Sequence, residues 1–191
     1  MKTFVLFLMF ASSLFAASPI GESADYQIDQ NPKRTTPLIR SGSLKVSVLE
    51  LLENSSGSSL FRVALDSVFI TKLFGKQQGR AEAMLETEFF TAEFMEALRK
   101  SGTYRGKYFT AQHLGFADVS NLDGKTYAHC DKVFLTDIKP PQDPGHQPGI
   151  DNLKVTAYLA PGIPVLGAVK LDIVGTYMGT PIKAGGDYLA K

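Results

Sequence analysis

Residues 126 to 139 read TYAHCDKVFLTDIK, and within them His129, Cys130 and Asp131 follow one another. A thiolate beside an imidazole and a carboxylate has the makings of a nucleophile or of a metal shell. Whether it is one depends on which way each side chain points. Upstream, Asp123-Gly124 predicts a two-residue hairpin turn, since both turn positions require positive φ. Leu122 would then face Lys125, Ala117 would face Cys130, Asp118 would face His129, Val119 would face Ala128 and Ser120 would face Tyr127. In that register Cys130 shares a face with Ala117, Val119, Ala128 and Phe134, while His129 and Asp131 point to the other side of the sheet. The sulfur is expected to be an unactivated core thiol, because apolar burial raises its pKa. Asp118 beside His129 is the remaining acid-base pair, an exposed cross-strand contact with no nucleophile placed next to it.

The other candidates are thinner. The chain has 3 histidines, His113, His129 and His146, scattered over two strands and a Pro-Gly loop rather than at ligand spacing. A glycosidase pair drawn from Glu86, Glu88 and Asp172 would need carboxyl groups about 5 to 10 Å apart, which charged outer faces of strands do not imply. No catalytic residue, metal or cofactor is expected.

Aromatic residues are more concentrated. Of 13 phenylalanines and 7 tyrosines, Phe89, Phe90, Phe94, Tyr104, Tyr108, Phe109 and Phe116 fall close together. In an antiparallel barrel with a helix across one end they would line an apolar cavity, and in a solid core they would simply pack.

The elements that must position these residues follow from periodicity. Leu44, Val46 and Val48, then Phe61, Val63 and Leu65, then Val155, Ala157 and Leu159 alternate with polar residues. Val165, Val169, Leu171, Ile173 and Tyr177 form one face of a further run. A period of two is the signature of half-buried strands. Breakers such as NSSGSS, GKQQG, LDGK and APGIP separate them. RAEAMLETEFF also alternates and is expected to fold back on residues 60 to 73 as a hairpin. One short helix is predicted over 91–101: Thr91 caps it, Glu93 suits its positive end, Phe90, Phe94, Ala97 and Leu98 make its apolar stripe, and Gly102 ends it. The fold class is mainly β, a single-domain antiparallel barrel or sandwich of about nine strands.

At the N-terminus, one lysine precedes an apolar run that ends in small residues at Ala16 and Ala17. Residues 1–16 therefore read as a cleaved signal peptide, too short for a stable membrane span. Residues 17–43 read as an extended lead-in, and 44–191 as one β-rich domain with a Pro/Gly loop at 139–149. The chain carries 20 Lys and Arg against 19 Asp and Glu, and losing Lys2 makes the numbers equal. Nucleic acid is not expected as a partner, since binding it needs a basic surplus. A lone cysteine fits export to a bacterial periplasm or beyond better than a disulfide-rich secreted scaffold.

ADYQID, residues 24 to 29, resembles the mature start of the periplasmic lipocalin-like polyisoprenoid-binding family, and FFTAEF is similar to a segment found there. The likeness covers about a dozen residues; beyond Tyr104 the chain departs from that pattern, notably in GIPVLGAVKLDIVGTY. The resemblance implies a lipid-binding barrel and carries no binding residues with it. The expectation is an exported, periplasmic binding protein for an apolar or lipid-like small molecule. The alternatives are a structural or interaction module of the cell envelope, and a hydrolase using His129 or His113.

Overall fold

The structure is a computed structural model that describes residues 21, 23–28, 39–53, 59–71, 75–87, 91–139, 150–161, 163, 167–177, 180–182 and 187–190. It is mainly β. The strands are β1 (Ser23–Ile28), β2 (Ile39–Glu53), β3 (Ser59–Thr71), β4 (Gly75–Glu86), β5 (Thr103–Arg105), β6 (Thr110–Ser120), β7 (Thr126–Thr136), β8 (Ile150–Leu159), β9 (Ala168–Tyr177), β10 (Thr180–Ile182) and β11 (Asp187–Ala190), with one helix, α1 (Ala92–Ser101), between β4 and β5. Every pairing is antiparallel. The order is β4-β3-β2-β1-β11-β9-β8-β7-β6-β5, with β10 on β9. Part of the lead-in is thus built into the sheet, as β1 between β2 and β11. The strand count exceeds the expected nine because short pieces such as β5 and β10, 3 residues each, are too brief to show alternation.

Among the described residues no ladder joins β4 to β5, so the sheet rolls over on itself without closing into a barrel. Its two halves face each other as in a sandwich: Val63, Leu65, Ala83 and Leu85 from β3 and β4 share one core with Leu135, Val155, Ala157 and Leu171 from β7, β8 and β9. Aliphatic residues at alternate positions make this possible, because each strand presents one apolar edge to the interior. The segment after β7 stitches the open side, with Met84 N–H donating to Lys139 O (3.1 Å) and Lys139 N–H to Tyr108 O (2.8 Å). Among the described residues no helix is long and apolar enough to cross a membrane.

RAEAMLE is strand, paired with β3 as expected. GKQQG is not the turn before it; it opens β4, where Gly79 faces Ser67. An edge strand tolerates glycine there. The helix matches its signals. Phe94 N–H donates to Thr91 Oγ1 (3.2 Å), and Gly102, at φ 76°, donates to Leu98 O (2.8 Å). Its core residues are Met95 and Leu98, whereas Ala97 is exposed.

The hairpin of β6 and β7 departs from the expected register. Its loop has three residues, not two: Asn121 N–H donates to Lys125 O, Asn121 Oδ1 accepts from Lys125 N–H, and Gly124 alone takes the left-handed conformation, at φ 80°. Val119 accordingly faces Tyr127 and Ser120 faces Thr126. A bulge on β7, with His129 at φ 55°, restores Ala117 opposite Cys130, and a second bulge on β6, with Gly115 at φ 101°, follows before His113 meets Val133. The 139–149 loop lies outside the described residues beyond Lys139, as does His146.

Candidate functional site

Three of the seven aromatic candidates come together beside α1. Phe94 meets Tyr104 edge-on, centroids 4.9 Å apart, and Tyr104 lies 5.5 Å from Phe109. Phe109 is fully buried, so it belongs to the core rather than to a wall. Tyr108 is half-buried at the rim, with Lys107 Nζ 5.2 Å from its ring centroid. Phe116 stands apart, 56 % exposed on the hairpin. Phe89 and Phe90 lie outside the described residues.

Between α1 and β5 runs a groove of about 410 Å³, lined by Thr91, Glu93, Phe94, Ala97, Leu98, Ser101, Thr103 and Tyr104. Its floor is apolar and its rim carries hydroxyls and one carboxylate, the pattern of a small-molecule site, which typically spans about 300–1,000 Å³. The Tyr104 ring is seated there because residue 106 is glycine: a Cβ at Gly106 would sit 2.7 Å from Tyr104 Cε1 and 2.8 Å from Glu86 Oε1. The interior between the two halves of the sheet, lined only by aliphatic side chains, holds about 40 Å³. A cavity that takes up benzene is about 150 Å³, so this space among the described residues is too small for an apolar ligand.

The titratable candidates form a different cluster. Arg99, in the last turn of α1, donates from Nε to Asp131 Oδ1 (2.7 Å) and from Nη2 to Asp131 Oδ2 (2.6 Å). His113 Nε2 lies 3.1 Å from the same Oδ1. Asp131 is 4 % exposed, and the hydrogen bonds to it push the Arg99 guanidinium pKa up. Phe116 covers the outside, its ring 5.2 Å from His113 and 5.9 Å from Arg99 Cζ. Asp131 sits at the alternation of Val133 and Leu135, the side that faces the main core.

The expected pair of Asp118 and His129 takes another form: Asp118 Oδ1 accepts from the His129 backbone N–H (2.8 Å), which holds the bulge and leaves the imidazole exposed. Cys130 is 1 % exposed, in a small outer cluster with Val119, Ala160 and Val169. Val169 thereby leaves the face it was expected to share with Leu171 and Ile173, because it is the bulged residue between Ala168 and Lys170. The Cys130 thiol donates to Tyr127 O (3.3 Å), and burial above all, with the Asp118 and Asp131 charges adding, pushes its pKa up. Thiol and imidazole do not converge: Cys130 is on the outer face, His113 beside Asp131 on the inner one. Among the described residues no three His, Cys, Asp or Glu side chains gather as a metal would require.

Sequence reading missed Asp131 as the partner of His113 and Arg99. Its position two before Val133 and four before Leu135, on the core-facing alternation, was the available signal. Compared with known proteins, the chain matches no family model, no curated protein and no solved structure.

Proposed function

We propose that this protein is exported after removal of residues 1–16 and binds an apolar or lipid-like ligand in the periplasm or outside the cell, without transforming it. The observation that carries the reading is the groove along α1, whose floor of Phe94, Ala97, Leu98 and Tyr104 is apolar and whose rim residues Thr91, Ser101 and Thr103 can hydrogen-bond a head group. The groove is the ligand site of this reading.

Among the described residues, the titratable side chains His113 and Cys130 are engaged elsewhere. His113 is engaged by Asp131 and covered by Phe116, and the Cys130 thiol is turned to the opposite face. The test is native mass spectrometry of the protein purified from its own cell envelope, followed by lipid extraction. A co-purifying apolar species, lost in Ala97→Arg, supports the reading. Protein that carries none, and that takes up no fluorescent fatty acid either, ends it.

A further inference from the structure

The groove beside α1 has a sign. One of its lining side chains is charged, Glu93, exposed near the start of the helix. Among the described residues no hydrogen bond or ion pair engages that carboxylate. The cations of the same helix are committed elsewhere: Lys100 Nζ lies 2.8 Å from Glu96, and Arg99 Nη2 lies 2.6 Å from Asp131. Arg105, next along β5 after Tyr104, is exposed but does not line the groove.

A bare helix N-terminus would favour an anion through its dipole and its first amide groups. Here two of those amides are already used, Phe94 N–H by Thr91 Oγ1 (3.2 Å) and Met95 N–H by Thr91 O (3.2 Å). The Glu93 carboxylate opposes any second negative charge beside it. At the other end of the groove, Ser101 Oγ donates to Thr103 O (2.9 Å). Its proton is spent, and the hydroxyl is left as an acceptor, which is all that a carboxylate can be. Both ends therefore offer acceptors. Between them lie the rings of Phe94 and Tyr104, 4.9 Å apart and edge-on, and aromatic rings attract cations rather than anions to their faces.

We propose that the groove selects an amphiphile with a cationic, amine-bearing head group, seated at Glu93 with its apolar chain along Phe94, Ala97 and Leu98. This deepens the reading of the groove as the ligand site and rests on it. From Glu93 to Ser101 the helix advances about 12 Å, a length that a decyl chain covers. The charged contact is exposed, so it supplies a preference, while burial of the chain supplies most of the affinity. A fatty acid enters by its chain and meets repulsion at its head.

The experiment is displacement of the neutral apolar dye N-phenylnaphthylamine from the full chain by decylamine, decanol and decanoate, which share a chain and differ in head group. Decylamine, protonated at neutral pH, should bind about threefold more tightly than decanol and about tenfold more tightly than decanoate. The order should flatten at high salt, since exposed charges are screened. Glu93→Gln should bring the three ligands within about twofold of one another, and Glu93→Lys should put decanoate first. Asp123→Asn, which removes the same charge at the exposed β6–β7 turn, should leave the order as it is. Equal binding of the three, decanoate ahead in the parent protein, no effect of Glu93→Gln, or the same flattening by Asp123→Asn would each overturn this proposal while leaving the groove a ligand site. No uptake of the dye, or uptake undiminished by Ala97→Arg, would instead remove the groove reading and this proposal with it.

Discussion

Arg99 grips Asp131 through two parallel hydrogen bonds of 2.7 and 2.6 Å, joining the end of α1 to the middle of β7 across 32 positions of the chain. The guanidinium is 41 % exposed and the carboxylate 5 %. That asymmetry decides what each substitution does. Removing Asp131 lets Arg99 return to water, whereas removing Arg99 leaves a buried carboxylate with His113 as its remaining partner. Arg99→Ala should cost about 2–4 kcal/mol and Asp131→Asn about 1–2 kcal/mol, compared by urea denaturation. The reverse ranking would contradict the asymmetry.

Glu82 sets a pH dependence. Burial alone would raise its carboxyl, but hydrogen bonds and charge from Arg62 and Arg80 outweigh that and hold the pKa below its ordinary 4.5. A carboxyl lowered in the folded state contributes stability that is present above its unfolded pKa and is lost as pH falls through the folded one. Glu82→Gln should therefore destabilise by about 1–3 kcal/mol at neutral pH. Its stability curve should meet that of the parent in acid below the usual carboxylate range.

Cys130 should be inert while the protein is folded. Its thiol is 1 % exposed and its pKa raised by burial, so little thiolate exists at neutral pH. A thiol-specific reagent should label the native protein at least about a hundredfold more slowly than the urea-unfolded one. Equal rates would place the sulfur in water.

Tyr26 is fully buried between β2 and β11, and its hydroxyl has no hydrogen-bond partner among the described residues. An unsatisfied buried hydroxyl costs about 1–3 kcal/mol, and phenylalanine has the same ring without it. Tyr26→Phe should raise the denaturation midpoint, and a fall would show that the hydroxyl is needed.

Gly106→Ala tests the groove from behind. The new methyl would press on Tyr104, whose ring end is the part free to give way. Uptake of a fluorescent fatty acid should drop while the far-ultraviolet circular dichroism spectrum stays unchanged.

How much of this was legible beforehand varies by element. Alternation identified the longer strands because one face of each is buried, and Thr91 and Gly102 bounded the helix because capping chemistry is local. Register in the β6–β7 hairpin was not legible. Asp123-Gly124 suits a two-residue turn, yet here only Gly124 takes positive φ, and a bulge leaves no mark in the alternation until its partner strand is known. His113 and Phe116 thus stand on one side although three positions apart, as do Tyr127 and Cys130. The Arg99–Asp131–His113 cluster was hidden for a related reason: its members come from three elements brought together only by the fold.

The two bulges also mark where the chain can be shortened. Omitting one residue from the interior of an ordinary strand exchanges its two faces from that point on. Omitting Gly115 or Ala128 instead lets the ladder run straight through, Phe116 still opposite Asp131 in the first case and Ala117 still opposite Cys130 in the second. Each bulge is therefore a place in the hairpin that accepts a single-residue deletion without turning over the side chains beyond it.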